Sequence, residues 1–374
     1  MMRTGIICAG VSCVDLFLYG TEPLATRESL SMVRETQYRP GGATSNTGRA
    51  LAGLGVPAAY FTVIGADANG DILLDLWKAD GVDTQYVVRT HEAGTALSTV
   101  PVYGDGKRGV YFYPGTNDIM NTENLLGLGR RNLQVLRESQ AFHIGYPPLL
   151  RCLQGQALAD FLSIVRETGV IISLDTTPIA DDTTLRAMLA PALPLAHLFA
   201  PNIEEAAQIT GQFTALAERA RQAGADIETI VTMGELRQIG EDLLRLDVPI
   251  VILTLGPNGA YLCTGDTAAF RAVAFAPDDL SGWADIRAFI PGYRVDGPLN
   301  TAGAGDTFTA AVLTGICAGA VSLTNAVAIA HCAAALHVDL SQRQRVYSEI
   351  VALRQSMPVV TPANPHLAYA MKGA

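Results

Sequence analysis

The hydrophobic positions of the chain form short continuous runs that alternate with stretches in which apolar residues recur every three or four positions. Continuous runs are typical of parallel strands buried on both faces, and the spaced pattern is typical of amphipathic helices. The alternation predicts a three-layer α/β/α fold with a mainly parallel central sheet. The predicted strands are residues 6–11, 59–64, 141–144, 170–175, 197–200 and 250–255, and the predicted helices are residues 44–54, 71–80, 153–168, 203–210 and 234–246.

Two segments depart from this alternation. Residues 16–39 and 95–115 are rich in β-forming residues, and the second carries a Gly-rich turn between two β-prone arms. We expect them to pair into a small sheet that is inserted in the α/β core and acts as a lid over a substrate. Residues 275–292 show no clear period and are predicted to form a surface insertion. Residues 1–374 are predicted to be a single domain.

Residues 307–338 contain no Asp, Glu, Lys or Arg, over a length that would suffice to span a bilayer. Small and polar residues interrupt the segment near its middle, and Ala dominates where a lipid-facing helix would favour Leu and Ile. The segment therefore predicts two buried helices that are joined near residues 319–322, and no membrane partner.

Composition and charge exclude several classes of protein. Apolar residues make up 49% of the 374 residues and charged residues 17%, which excludes a disordered or low-complexity chain. The net charge of −10, without a cluster of Lys and Arg, argues against nucleic acid as a partner. The six cysteines form no CxxC pair, and the apolar run near residue 6 is too short for a signal peptide, so we expect a reduced, cytoplasmic protein.

The sharpest candidate for chemistry is residues 300–308, which precede the uncharged segment. Gly303, Ala304 and Gly305 let the backbone approach a ligand, and a helix that begins there presents free amides to an anion such as phosphate. Asp306 fits either a structural N-cap or a functional carboxylate, and spacing alone favours the cap. The chain has no GxxxxGK[ST] motif and no GxGxxG after its first strand, which excludes P-loop and dinucleotide-binding mechanisms.

A second candidate site opens the predicted helix 44–54. Gly41 and Gly42 permit a tight approach of the backbone to a ligand, and Asn46 offers a donor and an acceptor that suit sugar hydroxyls. Asp15 follows the first strand, at the carboxyl ends where open parallel sheets bind ligands. Taken alone, each feature also fits an ordinary turn, with Asn46 as a cap and Asp15 as an exposed turn residue.

These motifs resemble those of the ribokinase-like (PfkB) carbohydrate kinase family. The two hallmark stretches are Gly41-Gly42-x-x-x-Asn46 and residues 303–306, and residues 63–70, 81–84, 201–206 and 254–259 agree with further blocks in the same order. The resemblance covers roughly residues 5–340. It implies a ribokinase-like fold and an ATP-dependent kinase that transfers the γ-phosphoryl group to a sugar hydroxyl.

The resemblance also implies roles for single residues. Asp306 would be the general base that takes the proton of the attacking hydroxyl. The amides of Gly303, Ala304 and Gly305 would stabilise charge on the transferring group. The residues that would hold the sugar are Asp15, Gly41, Gly42 and Asn46.

For the nucleotide, the resemblance implies that Asn202 and Glu205 organise Mg²⁺, with Glu205 acting through water. His331 would lie near the adenine, whereas its position on an Ala-rich helix by itself predicts a core histidine. The phosphate and ribose side of ATP would be lined by Thr254, Gly256 and Gly259.

The resemblance leaves the acceptor open between a sugar, a nucleoside and, for a catalytically silent relative, a sugar that is only bound. Many relatives carry Asp and Thr where this chain has Asn300 and Ala302, which predicts weak dependence on K⁺, although Asp296 is near enough in sequence to substitute. The resemblance also implies a homodimer formed through the small sheet, and the open edges of that sheet give such pairing a physical reason.

Overall fold

The computed structural model describes residues 5–22, 28–104, 107–179, 182–271, 273, 275–297, 299–342 and 345–370. The strands are β1 Ile6–Gly10, β2 Cys13–Thr21, β3 Glu35–Gly41, β4 Ala58–Phe61, β5 Val63–Gly65, β6 Val88–Thr90, β7 Leu97–Tyr103, β8 Tyr111–Tyr113, β9 Ala141–Gly145, β10 Ile171–Leu174, β11 Leu198–Phe199, β12 Ile250–Thr254, β13 Gly259–Thr264 and β14 Arg287–Pro291. The helices are α1 Gly42–Gly53, α2 Ala68–Ala79, α3 Thr122–Leu126, α4 Asn132–Glu138, α5 Gln156–Arg166, α6 Asp182–Leu189, α7 Ile203–Thr210, α8 Phe213–Ala223, α9 Ile227–Ile230, α10 Met233–Leu244, α11 Thr267–Arg271, α12 Ala304–Cys317, α13 Leu323–Val338, α14 Tyr347–Leu353 and α15 Pro365–Ala370.

The central sheet has eight strands in the order β14-β13-β12-β11-β10-β9-β1-β4. The pairs from β4 to β12 are parallel, and β13 and β14 add an antiparallel edge. This confirms the mainly parallel sheet predicted from the hydrophobic runs. The predicted strand 59–64 is divided, because β4 joins the central sheet while β5 pairs with β6 in a separate two-stranded sheet.

Helices cover both faces of the central sheet. Along β1, Ile7 and Ala9 point into one apolar cluster, which also contains residues of α5, α7 and α10. Ile6 and Cys8 point into the other cluster, which contains residues of α1, α2, α12 and α13. The strands are therefore buried on both sides, as their unbroken apolar runs predict, and the three-layer fold is confirmed.

The segments predicted to form a small sheet do so. Four strands pair in the order β3-β2-β7-β8, apart from the central sheet, and β2 is antiparallel to β3 but parallel to β7. We call these four strands the small sheet. Residues 23–27 and 105–106 of the predicted segments lie outside the described residues.

The surface insertion predicted for residues 275–292 is wrong for much of its length. Residues 287–291 form β14, which pairs with β13 at the edge of the central sheet. Trp283 is 1% exposed, and its indole Nε1 donates to the carbonyl of Ala320 at 2.9 Å. An antiparallel edge strand is only partly buried, so this segment lacks the apolar run that marks the inner strands.

The uncharged segment 307–338 contains the two predicted buried helices, α12 and α13. They meet at Gly319, which has a left-handed φ of 79°, and the Ser322 side chain accepts from the Asn325 amide at the start of α13. Among the described helices, none combines the length and the apolar character that crossing a bilayer requires.

Candidate active site

Asp306 lies in the first turn of α12 and not at its cap. The N-cap is Gly303, in a left-handed conformation with a φ of 79°, and no side chain caps this helix end. The interpretation of Asp306 as an N-cap, which spacing alone favoured, is therefore wrong. The left-handed turn at Gly303 instead directs the first turn of the helix, and with it Asp306, toward α1.

The carboxylate of Asp306 is 3% exposed and contacts two residues of α1. Asn46 Nδ2 donates to Asp306 Oδ2 at 3.0 Å, and Thr47 Oγ1 donates to Oδ1 at 3.4 Å. The Tyr146 hydroxyl lies near enough to lower the Asp306 pKa as well. Burial raises the pKa of Asp306 to about 7 although these hydrogen bonds act in the opposite direction. Asp306 can therefore exchange a proton near neutral pH.

The charge of Asp306 acts through space on two more carboxylates. Asp175 follows β10, and Glu205 lies in the first turn of α7. Burial, followed by the charges of Glu205 and Asp306, raises the pKa of Asp175 well above its ordinary value. Burial also raises the pKa of Glu205 to about 7, with smaller contributions from Glu204 and Asp306. Within the described part of the chain, however, no three such groups come close enough to enclose a metal ion.

Tyr146 and Thr47 are site residues that the sequence reasoning missed. Tyr146 directly follows β9 and has a φ of 58°, a left-handed conformation that is unusual for a residue other than glycine. The charge of Asp306 is the largest cause that raises the Tyr146 pKa well above its ordinary value. The rule that ligands gather at the carboxyl ends of parallel strands could have singled out Tyr146. Thr47 carries no comparable signal.

Hydrogen bonds hold the glycine loop, residues 300–303, which precedes α12. His337 Nε2 lies 2.9 Å from the carbonyl oxygen of Ala302, and the Ala302 amide donates to Asn300 Oδ1 at 3.2 Å. Of the three amides predicted to face an anion, that of Ala304 donates to the Thr301 carbonyl at 3.2 Å. A side chain at Gly305 would meet open space, so that face of the helix end is accessible.

On the acceptor side, two glycines make room for protein atoms. A Cβ on Gly41 would lie 2.3 Å from Asp15 Oδ2. A Cβ on Gly42, whose φ is 81°, would lie 2.4 Å from the Val11 carbonyl oxygen. The tight approach predicted for Gly41 and Gly42 is thus made to Asp15 and to the β1–β2 connection. Burial raises the pKa of Asp15, and Cys13 Sγ donates to its Oδ1 at 3.3 Å.

A cavity of about 940 Å³ lies between the small sheet and the glycine loop. Among the predicted site residues, it is lined by Asp15, Gly42, Asn46 and Gly303, which come from three separate parts of the sequence. The structure therefore brings three of the four residues predicted to hold the sugar, Asp15, Gly42 and Asn46, to one cavity with Gly303. Further lining residues in this part of the cavity are Phe17, Arg39, Ser98, Arg108, Phe112, Tyr146, Thr307 and His337.

None of the residues predicted for metal and nucleotide is among the described residues that line this cavity. Asn202 caps α7 and forms a reciprocal pair with Glu205: Asn202 Oδ1 accepts from the Glu205 amide, and Glu205 Oε2 from the Asn202 amide, both at 2.9 Å. Thr254 pairs with Asn202 as an isolated parallel bridge. Besides burial, the charge of Asp306 raises the pKa of Glu205, and the charges of Glu205 and Asp306 raise the pKa of Asp175. A divalent cation beside these carboxylates would favour their ionised forms, so Glu205 fits a Mg²⁺ role.

The two glycines of the β12–β13 turn are required by packing. Gly256 has a φ of 54°, and its Cβ would lie 2.7 Å from Glu228 Oε2. Gly259 has a φ of 126°, and its Cβ would lie 2.2 Å from the Ile290 carbonyl oxygen. These positions explain the two glycines without a nucleotide.

His331 is a core residue of the α12–α13 interface. It is 7% exposed, and its ring centroid lies 4.8 Å from that of Phe308. Burial lowers the pKa of His331 to about 4, so the ring is neutral. The lining of the 940 Å³ cavity, as far as the described residues form it, does not include His331. This placement favours the core interpretation over a contact with adenine.

Comparisons with known proteins agree with this architecture. The family model for "pfkB family carbohydrate kinase" matches residues 3–347. Ribokinase of Staphylococcus aureus (strain COL) is 22% identical over 338 residues, which cover 90% of this chain and 94% of that protein. Fructokinase-1 of Oryza sativa subsp. japonica is 28% identical over 275 residues, 73% of this chain and 72% of the relative.

A solved structure of Arabidopsis thaliana ribokinase complexed with ribose and ATP superposes with a TM-score of 0.71 at 19% identity. The match covers 95% of this chain and 99% of that one, and shows the ribokinase-like fold. Since the family model spans nearly the whole chain and the two hallmark motifs meet at one cavity, this protein belongs to the PfkB family of carbohydrate kinases.

Proposed function

We propose that this protein is an ATP-dependent carbohydrate kinase that transfers the γ-phosphoryl group of ATP to a sugar hydroxyl. The observation that supports it most directly is the contact between Asp306 and Asn46. It joins the first turn of α12 to α1, the helix that begins at Gly42 and whose Asn46 lines the cavity. A carboxylate with a pKa of about 7 is thereby placed next to an amide suited to hydroxyl groups.

Asp306 acts as the general base in this proposal. A sugar hydroxyl that replaces the Asn46 amide at Asp306 would give its proton to the carboxylate as its oxygen forms a bond to the γ-phosphorus. The bond from that phosphorus to the β–γ bridging oxygen breaks, and the products are a sugar phosphate, ADP and a proton that Asp306 later releases. Asn46 then binds the sugar, together with Asp15.

The N-terminus of α12 supplies the anion site. The amides in the first turn of a helix have no acceptor within the helix, and the open space beside Gly305 admits a phosphoryl group to that end. Because the Ala304 amide already bonds to Thr301, the amides of Gly303 and Gly305 have the larger part in this proposal. Phosphoryl transfer depends mainly on such positioning and charge neutralisation.

On the nucleotide side, Asn202 and Glu205 would hold Mg²⁺, which would neutralise charge on the phosphates of ATP. Thr254, Gly256 and Gly259 would lie beside those phosphates, whereas the packing of His331 against Phe308 favours a core role for His331. Closure of the small sheet over the sugar would exclude water and limit hydrolysis of ATP.

The small sheet also supports a proposed homodimer. Its strands β3 and β8 form its edges, and they carry exposed aromatic side chains at Tyr38, Tyr111 and Tyr113. An exposed apolar edge is the kind of surface that a second copy covers.

A panel assay tests the kinase proposal. The purified chain is incubated with ATP, Mg²⁺ and one acceptor at a time, and both ADP release and formation of a phosphate ester are measured. Neutral sugars, sugar phosphates, sugar acids and nucleosides form the panel. We expect at least one carbohydrate to give a phosphate ester. Turnover of nucleosides alone, or tight sugar binding without any turnover, would contradict the proposal.

A further inference from the structure

Two arginines extend toward the acceptor part of the cavity from the small sheet. Arg39 lies on β3 directly opposite Asp15 of β2, so the two side chains share one face of the small sheet. Arg108 lies in the connection between β7 and β8, where it forms an isolated bridge with Val102. Both arginines line the same cavity as Asp15 and Asn46.

Neither arginine is neutralised by the nearby carboxylate. Arg108 and Arg39 both act on the Asp15 pKa through space, yet no ion pair among the described residues joins Asp15 to either of them. Burial outweighs both arginines, since the net shift of the Asp15 pKa is upward. In a chain whose net charge is −10, this part of the cavity therefore carries two cations and at most one anion.

Arg39 is held in a fixed orientation. Its Nε and Nη2 donate to Gln37 Oε1 at 3.0 and 2.7 Å, and its Cζ lies 4.8 Å from the centroid of the Phe17 ring. A guanidinium has five N–H donors, so several remain for a ligand. Within the described part of the chain, the Arg108 guanidinium has no hydrogen-bond or ion-pair partner. One arginine is thus oriented in advance, and the other is free to meet a ligand.

We propose that the acceptor is an anionic sugar, one that carries a phosphate monoester or a carboxylate, and that Arg39 and Arg108 bind this group. This inference rests on the proposed kinase function and names its substrate class. Planar guanidinium groups match the oxygens of phosphates and carboxylates in bidentate geometry. Because both arginines belong to the small sheet, the anionic group would lie at the end of the sugar away from Asp306.

The placement of Arg39 and Arg108 separates this role from that of binding ATP. Both line the cavity with Asp15. Asn202 follows β11 and Thr254 ends β12, and neither is among the described residues that line the cavity. The phosphates of ATP would be met by the N-terminus of α12 and by the metal. A charge at the small sheet therefore selects among acceptors and leaves nucleotide affinity unchanged.

The test compares acceptors and variants. For the wild type, kcat/KM is measured with ribose and fructose as neutral probes, fructose 6-phosphate as the phosphate probe and gluconate as the carboxylate probe. We expect one anionic probe to exceed both neutral probes by at least about tenfold, as charge-assisted hydrogen bonds to two arginines imply. Whichever anionic probe responds identifies phosphate or carboxylate as the group. Equal or better turnover of the neutral sugars would overturn the inference.

Variants assign the effect to the two arginines. Arg39→Gln with Arg108→Gln should lower kcat/KM for the anionic probe by about 10- to 100-fold while the KM for ATP stays within about twofold. Arg39→Lys with Arg108→Lys keeps the charge and should recover part of the loss. The matched control is Arg34→Gln, which alters an exposed arginine next to β3 that does not line the cavity. A similar loss in Arg34→Gln, or an equal loss for neutral sugars in the Gln variants, would refute the inference.

Calorimetric titration without ATP keeps this test separate from the kinase proposal. If no acceptor is phosphorylated, the proposed function fails, but binding of the same four probes still reports on the arginines. Tighter binding of fructose 6-phosphate or gluconate than of fructose, lost in the double Gln variant, would uphold the anion site by itself. Equal binding of charged and neutral probes would remove it.

Discussion

On the proposed acceptor side of the site, Asp15, Asn46 and Gly303 line one cavity, whereas on the proposed nucleotide side Asn202 and Glu205 bond to each other as a helix cap. The acceptor residues come from distant parts of the chain, and only the fold brings them together. The nucleotide residues belong to local turns whose geometry needs them even without a ligand. The first group is thus assembled by the tertiary fold, and the second by hydrogen bonds within one turn of a helix.

The largest effect is expected from Asp306, because its carboxylate accepts a hydrogen bond from Asn46 and its charge raises the pKa of Glu205. Asp306→Asn should lower kcat by about two or more orders of magnitude, because a positioned general base is lost while shape and volume are kept. ATP affinity, measured by calorimetry, should change little. Near-normal turnover in this variant would exclude Asp306 from the chemical step.

The pH profile gives an independent check on Asp306. It must be ionised to accept a proton, and its pKa is about 7, so kcat/KM of the wild type should fall about tenfold per unit below that pH. The residual rate of Asp306→Asn should lack this limb. A wild-type profile that stays flat down to pH 5 would contradict the assignment.

Asn46→Ala tests whether Asn46 binds the sugar and not ATP. The sugar KM should rise by about tenfold and more than the ATP KM, because a donor to sugar hydroxyls is lost. The Asn46 hydrogen bond lowers the Asp306 pKa, so its loss should also move the acidic limb of the pH profile to higher pH. Thr47→Val is a matched control, since it removes the longer 3.4 Å contact and leaves the amide. Equal increases in both KM values would contradict an acceptor role for Asn46.

The pH dependence of the free energy of unfolding should show the cost of ionising the buried carboxylates of Asp306 and Glu205. The pKa values of Asp306 and Glu205 are raised to about 7 in the folded chain, so it binds protons that the unfolded chain releases between about pH 4 and 7. Their contribution to the free energy of unfolding is thus largest at low pH and is lost as pH rises through 7. Asp306→Asn should therefore stabilise the chain by about 1–2 kcal/mol at pH 8 and by less at pH 5, measured by urea unfolding. An equal gain at both pH values would refute this explanation.

The fold was predictable from the sequence where a segment is buried on two faces. The runs that became β1, β9, β10 and β12 are unbroken because helices cover both sides of them. β14 was missed because an edge strand has no such signature. In the site, Asp306 and Asn46 were predictable for another reason, because both belong to recognisable sequence motifs. Arg39 and Arg108 were not predictable, because strand pairing in the small sheet places them at the cavity. Tyr146 follows a parallel strand and was predictable from that position alone.

A substitution of His331 tests whether this residue belongs to the core or contacts the adenine of ATP. Its imidazole packs on Phe308, and Nε2 has no hydrogen-bond partner among the described residues. His331→Leu should therefore leave the ATP KM within about threefold of the wild type, since it replaces a buried neutral ring with an apolar side chain. Steady-state kinetics at varied ATP measures this. An increase in the ATP KM of tenfold or more, with thermal stability unchanged, would restore a contact with adenine.

The smallest expected effect is that of K⁺. Asn300, where many relatives carry Asp, uses its Oδ1 to accept from the Ala302 amide, and Asp296 is paired with Arg294 at 2.8 Å. A neutral amide and an engaged carboxylate attract a monovalent cation weakly, so exchanging Na⁺ for K⁺ should change kcat/KM by less than about twofold. Asn300→Asp adds a carboxylate at the same place and should increase the response to K⁺. Strong activation of the wild type by K⁺ would show that backbone carbonyls alone bind the ion, and that the loop before α12 depends on a cation after all.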